Sequence, residues 1–380
     1  MSAPTESSGL PVRRFDTLPS IAFAIGAVAI ATLVLDAVVL PVLLRESATD
    51  WLAYDGAARA LQQHISPYAW ATTPDVRGAG QFPYLYPPPL ALIWSIGFAP
   101  ASWAVVKVVA VAAAVALSVA RGLPEPRTSA GRAASIVVPL AVVVLALSQP
   151  PVIHDLLLGN VMLLYAAAIV LLVAGPPGRW SAAPLGFVVA IAFKPAIAPI
   201  LLWMLLRRPG QLVGFAAAAG VTTAVAAALV GPGVYVDYLA ALPRLGTLAQ
   251  PFPGNVGLSS MSTWLALAAI PVALVWAAAA ARRLEPDAGL GVAIALSLLC
   301  QPVLGLNYGV VLIPVVLLLW RIDPRAGLIA GILVPPLTLV SPVLAGILTA
   351  AGTTLLGMRR LDLRRHEAAT PAVPLAAAPR

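Results

Sequence analysis

Apolar residues fill this chain in long stretches, separated by short groups of arginine, proline and glycine. The stretches at 19–44, 88–120, 182–206 and 326–357 all reach the length of about 20 residues that a helix needs to cross a bilayer core. A backbone in lipid must satisfy its own hydrogen bonds, so this pattern predicts helices and no open sheet. The fold class expected is an all-α integral membrane protein with about ten to twelve crossings. The polar segment between the first two stretches spans roughly 40 residues, short of the about 50 of a minimal soluble domain.

Arginine clusters orient the crossings, because basic residues mark the cytoplasmic side of a membrane protein. They recur at Arg13 and Arg14, at Arg121, Arg127 and Arg132, at Arg179, at Arg207 and Arg208, at Arg282 and Arg283, at Arg321 and Arg325, and at Arg359, Arg360, Arg364 and Arg365. Two successive clusters on one side require an even number of crossings between them. The stretch at 88–120 is read as one long or tilted span. The stretch at 182–206 must turn back as a short or re-entrant hairpin with its tip at Lys194 and Pro195, and 326–357 as a hairpin broken at Ser341 and Pro342. Both termini are then inside. The organisation expected is a cytoplasmic tail at 1–18, one transmembrane domain at 19–365 with outer loops near 45–87 and 231–260, and a disordered cytoplasmic tail at 366–380. The first stretch lacks a small-residue cleavage site and reads as a retained helix.

Composition sharpens this picture. Apolar residues make up 60% of the chain and charged residues 10%, with mean hydropathy +0.94, against about 25% charged in soluble domains; a water-soluble enzyme is excluded. The net charge of +8 is almost all arginine, since Lys107 and Lys194 are the only lysines. In loops between spans that excess is the positive-inside signal and calls for no nucleic acid. Cys300 is the sole cysteine, so no intrachain disulfide can form.

Candidate chemistry gathers in the loops. Trp51, Tyr54, Ala58 and Leu61 lie on one face of an amphipathic helix at the membrane surface, with Thr49 as N-cap and Asp50 in the first turn, where the helix dipole favours a carboxylate. Asp50 either caps that helix or takes a proton from a hydroxyl on a lipid-borne substrate. Tyr84 and Tyr86, before Pro87 and Pro88, fit interfacial anchoring. Asp36 and Lys107, deep in apolar stretches, read as partners in a buried ion pair, and ionisable groups in such places are functional candidates. Lys194 either snorkels to the interface or holds a lipid phosphate. His154 and Asp155 read as a short outer turn ahead of Gly159 and Asn160, solvated or serving as acid and base. The three histidines and the absence of Gly-rich phosphate motifs give no sign of a zinc centre, an ATP site or a dinucleotide site, so no cofactor is expected.

One order of motifs is familiar. Asp50, Tyr54, 57–61 (AARAL), Ser66-Pro67-Tyr68, 84–88 (YLYPP), Gly159-Asn160, Phe193-Lys194-Pro195, 255–259 (NVGLS), Gln301-Pro302, Asn307-Tyr308 and Leu312-Ile313-Pro314 together resemble glycosyltransferase family 87, over about residues 20–320. The resemblance implies a GT-C-type helical bundle and a plasma-membrane enzyme acting on the outer face. It would use a polyprenyl-phosphate sugar donor, with mannose preferred over arabinose, and a glycolipid or polysaccharide acceptor of the cell envelope. Asp50 matches the family's general base and Lys194 the lysine near the donor phosphate. Arg59, Asn307 and Tyr308 are the further residues expected at the phosphate, and Tyr54, Tyr84, Tyr86, His154, Asp155, Asn160 and Asn255 those expected at the substrates. Family members often carry Gly-Gln-x-Asn where this chain has 159–162 (GNVM), and a histidine where Asn307 stands. A glycosyl phosphate has a good leaving group, so one base on the acceptor and cations on the phosphate suffice for inverting transfer. The alternatives are a lipid or sugar-lipid transporter, marked by repeat symmetry and a midplane site, and an inactive relative.

Overall fold

The structure, a computed structural model, describes residues 49–69, 84–97, 100–123, 129–175, 178–248, 255–301 and 304–369. The stretch at 19–44, with Asp36, lies outside them. Among the described residues the chain is helical with no strand, the architecture of an all-α membrane protein.

Helix α1, Thr49–Gln62, has the expected amphipathic register. It buries Ala53, Tyr54, Ala57 and Ala58 and turns Leu52 and Arg59 outward. The stretch at 88–120 departs from expectation: instead of one long span it forms two helices, α2 (Pro88–Ser95) and α3 (Pro100–Gly122). Gly97 takes a left-handed φ of 97° and Pro100 has no N–H to bond into a preceding turn, so the helix cannot run through. Their ends remain neighbours, with the Trp94 and Trp103 rings 5.3 Å apart.

Helices α4 (Ser129–Leu147) and α5 (Pro150–Leu158) meet at a 60° bend, forced by the missing amides of Pro150 and Pro151. Helix α6, Met162–Ala174, is apolar all round and nearly all buried, which makes it the axis of the core. Two arginines cap its far end: Arg321 donates to Val173 O at 2.9 Å and Arg121 to Ala174 O at 2.5 Å.

The expected hairpin at 182–206 is present as α7 (Ala183–Ile191), an extended break through Lys194, a 3-10 turn at Pro195–Ile197 and α8 (Ala198–Arg207). Both of its feet lie against the start of α9 (Pro209–Val230). Gln211 on α9 donates to Ser181 Oγ at 2.7 Å, and Gly186 and Gly214 sit so close to the facing backbones of Phe215 and Arg179 that a Cβ would collide.

Helices α10 (Gly233–Leu248), α11 (Leu258–Met261), α12 (Thr263–Arg283), α13 (Pro286–Leu296), α14 (Ile313–Ile322), α15 (Pro324–Val340) and α16 (Pro342–Ala369) complete the chain. The break between α15 and α16 falls at Ser341, as expected, and α16 runs to Ala369. Among the described residues four helices are long and apolar enough to cross a membrane, or five with the bent α4–α5 pair counted as one, and other apolar helices have 10–17 residues. Only 11% of the α9 window is buried, so Val213, Val221, Val225 and Leu229 are left to face lipid.

Among the described residues several of these arginines hold helix ends together. Arg207 donates to Leu284 O at 2.6 Å, and Arg364 and Arg360 reach Glu285 at 2.6 and 3.6 Å. Together with the Arg121 and Arg321 caps and the Gln211–Ser181 bond, these contacts set the ends of α3, α6, α8, α12 and α16 at one level. The start of α6 is about 18 Å away along its axis at 1.5 Å per residue, and there the polar residues converge.

Candidate active site

Three breaks in helical structure meet at the start of α6: the turn after α5, the break before α8, and a 3-10 turn at Leu306–Leu312. Each presents a polar side chain that a continuous helix would have directed elsewhere. Gly159 ends α5 with a left-handed φ of 78°, and a Cβ there would run into the Trp51 indole. Gly159→Ala is therefore expected to lose at least the ~1–2 kcal/mol of the left-handed backbone, read as a lower unfolding temperature of the purified protein. At the second break, the residue before a proline is driven to extended backbone, and Lys194 has φ −133° and ψ 128°. Tyr165 on α6 secures it by donating to Ala192 O at 2.6 Å.

The side chains form one chain of hydrogen bonds. Asn160 Nδ2 donates to Asp50 Oδ2 at 2.6 Å and lies 3.3 Å from Tyr86 Oη. Lys194 Nζ donates to Tyr86 Oη at 3.2 Å and to Tyr308 Oη at 2.7 Å, and stands over both rings, 4.5 and 5.1 Å from their centroids. Gln301 Nε2 reaches Tyr308 Oη at 3.3 Å. Asp50 is half-buried and Lys194 buried. Burial raises the Asp50 carboxyl above its usual range, against the opposing pull of Lys194, the Asn160 amide and Lys107. A carboxylate and an ammonium thus share one network without touching, which leaves the carboxylate free to take a proton while the cation meets an anion.

Of the expected site residues, Asp50, Tyr86, Asn160, Lys194 and Tyr308 come together. Tyr54 packs beneath them, its ring edge-on to Tyr86 at 5.2 Å and to Trp94 at 5.1 Å. Asn307 is buried next to Tyr308 in sequence, and its Nδ2 has no hydrogen-bond partner among the described residues. Others have different work. Tyr84 Oη accepts from Ala91 N at 2.8 Å and donates to Pro87 O at 2.7 Å, supplying an acceptor to an amide in the first turn of α2. Arg59 is exposed and paired with Asp55 at 2.7 Å, on the last turn of α1 while Asp50 is on the first. Asn255 Oδ1 accepts from Gly257 N at 3.0 Å and Leu304 N at 3.1 Å, which pins one loop to another.

His154 and Asp155 lie within α5 and not in a turn, and the turn follows at 159–161. His154 is half-buried, with no partner for Nδ1 among the described residues. Asp155 is fully buried and forms the ion pair with Lys107 at 2.8 Å. The expected partner, Asp36, lies outside the described residues. The contacts of Gln301 and Tyr165 and the choice of Asp155 as the partner of Lys107 carry no sequence signal, because each is set by packing across distant segments.

The model of glycosyltransferase family 87 matches residues 84–342. No curated protein and no solved structure matches the chain. The matched region begins at Tyr84 and takes in Tyr86, Asn160, Lys194 and Tyr308, while α1 with Asp50 precedes it. As the match covers more than half of the chain, this protein belongs to glycosyltransferase family 87 and is a membrane glycosyltransferase.

Proposed function

We propose that the protein transfers a hexose, mannose by preference, from a polyprenyl-phosphate donor to a hydroxyl of a cell-envelope glycolipid or polysaccharide, with inversion. The observation that carries this reading is the hydrogen-bonded path from the Asp50 carboxylate through Asn160 and Tyr86 to the Lys194 ammonium. Asp50 takes the proton of the acceptor hydroxyl as its oxygen bonds the anomeric carbon. The bond from that carbon to the phosphate oxygen breaks, and its electron pair leaves with the polyprenyl phosphate. Lys194 meets the departing charge, held in place by Tyr86 and Tyr308.

A single carboxylate in the network favours inversion, since a double displacement uses two, one as nucleophile and one as acid and base; the neighbouring Asp155 is committed to Lys107. The site stands at the end of α6 opposite the one that Arg121 and Arg321 cap. With the arginines cytoplasmic, it faces the outer side of a plasma membrane, where a lipid-linked donor is met.

The deciding experiment is transfer from radiolabelled polyprenyl-phosphate mannose into lipid extract by membranes containing the wild type or Asp50→Asn. Label in the wild-type reaction alone supports donor, reaction and base together. Equal label in both reactions removes Asp50 from the mechanism. Silence from both, at equal expression, rejects mannose as the donor sugar.

Lys194→Met is expected to lower transfer by about 10²–10³-fold, the cost of removing one preorganised donor to a developing anion, whereas Arg59→Ala is expected to leave it near wild type. Both are read from initial rates in the same assay. The pH profile carries a further expectation. Asp50 acts ionised and burial raises its carboxyl, so activity falls with decreasing pH through a midpoint above the ordinary carboxylate value. A limb at or below that value would remove Asp50 as the titrating group.

A further inference from the structure

The most completely buried charges in the described chain take no direct part in this chemistry. Lys107 on α3 and Asp155 on α5 are wholly inaccessible. Each proton of the Lys107 ammonium has an acceptor: Asp155 Oδ1 at 2.8 Å, Asp155 O at 3.1 Å and Asn160 O at 2.7 Å. The second oxygen, Asp155 Oδ2, accepts from Met162 N at 3.1 Å, the first residue of α6. The pair therefore bridges from the body of α5, over the turn, to the start of α6.

Two indoles complete the frame. Trp103 Nε1 donates to Gly159 O at 3.2 Å, and Trp51 Nε1 to Leu157 O at 3.2 Å. Two carbonyls at the end of α5, of Asp155 and Leu157, and two in the turn, of Gly159 and Asn160, are thus held from outside the segment, and the Asn160 side chain is set with them. Its Oδ1 accepts from Val161 N at 2.7 Å and its Nδ2 points at Asp50. A buried ion pair is a costly means of stability, because apolar replacements of similar volume often do as well or better. Its yield here is placement.

We infer that Lys107 and Asp155 are positioning residues for transfer: together they fix the turn at 159–161 so that the Asn160 amide is delivered to the Asp50 carboxylate. The inference rests on Asp50 acting as the base. Misplacement of a reacting group by about 1 Å costs on the order of 10²-fold in rate, and a turn freed from both charges has that latitude.

The test reads Asp50 directly and needs no donor. Full-length protein in lipid nanodiscs is titrated with pH, and the protonated-carboxyl infrared band of Asp50 is isolated by difference against Asp50→Asn. The charged and titratable groups that act on Asp50 are Lys194 from the break before α8, Lys107 from α3, Asp155 from α5, Tyr86 from the segment before α2 and Tyr54 from α1 itself. The double variant Lys107→Met/Asp155→Leu removes one positive and one negative charge, so its direct electrostatic effect on Asp50 largely cancels and the measured shift reports the loss of the Asn160 contact.

In the double variant and in Asn160→Ala the Asp50 midpoint is expected to rise by about one to two pH units, the loss of a hydrogen bond to a charged group. The double variant should also lose about 10²-fold in kcat with the donor KM little changed. Gln211→Ala, which breaks the buried bond to Ser181 far from the site, should lower the unfolding temperature and leave the midpoint in place. A double variant that purifies as a monodisperse peak with the wild-type midpoint would overturn the inference. Should that variant fail to insert, an unmoved midpoint in Asn160→Ala overturns it equally. Failure of Asp50 as base is a separate result, because it shows as wild-type transfer by Asp50→Asn whatever the midpoints do.

Discussion

Asp50→Asn is expected to reduce sugar transfer by about 10²–10⁴-fold, the usual contribution of a positioned general base, with insertion and unfolding temperature close to wild type. The substitution is nearly isosteric. An amide oxygen at position 50 still accepts from Asn160 Nδ2, now 2.6 Å from the carboxylate, so the turn at 159–161 keeps its contact. What disappears is the capacity to take a proton from the acceptor. Burial already disfavours the charged carboxylate, so the neutral amide relieves a desolvation cost and brings no new one. The measurement is initial rate together with thermal unfolding of the same preparations. Transfer within a few-fold of wild type would assign the proton to another group.

Lys107→Met is expected to be the most destabilising single change, by about 3–5 kcal/mol, because it leaves the Asp155 carboxylate buried without its counter-ion. Asp155→Leu should cost a comparable amount by stranding Lys107. The double variant should recover most of that loss, since it removes both desolvation penalties and leaves methylenes in an apolar setting. Unfolding temperatures of the wild type, both single variants and the double variant give the coupling directly. Additive losses would show that the two residues stabilise the fold independently, against the 2.8 Å contact between them. Abundance and catalysis part company here. The double variant is expected to accumulate like wild type and still transfer slowly, since stability needs only a compensated interior whereas Asp50 needs the turn in its place.

Part of the site was legible before any coordinates. The spacing of Trp51, Tyr54, Ala58 and Leu61 yields α1 and sets Asp50 in its first turn, since amphipathic periodicity is a local property. Lys194 at the hairpin tip followed from parity: arginines at both ends of a run of about 25 residues allow only a turned-back pair. The same logic failed for 88–120, where length alone suggested one span; the break at 97–100 comes from one left-handed glycine and one proline, which a hydropathy count does not weigh. The depth of Lys107 in its apolar stretch implies a buried ion pair, and among the described residues its partner is Asp155. Depth in an apolar stretch says that a charge needs a partner, and not which one.

The amino-acid sequence determined the membrane class, the helical content and the family, because apolar run length and motif order are properties of contiguous residues. The tertiary structure decided which polar groups meet. Asp50 and Asn160 are 110 residues apart, Lys194 and Tyr308 are 114 apart, and Lys107 and Asp155 are 48 apart. Only the packing of three broken helix ends around the start of α6 brings them within hydrogen-bond distance. That packing also removed Arg59 to the surface and turned Tyr84 into a helix cap. A side chain's role depends on where its terminal atom lies relative to others, and over such separations that position is a property of the whole fold.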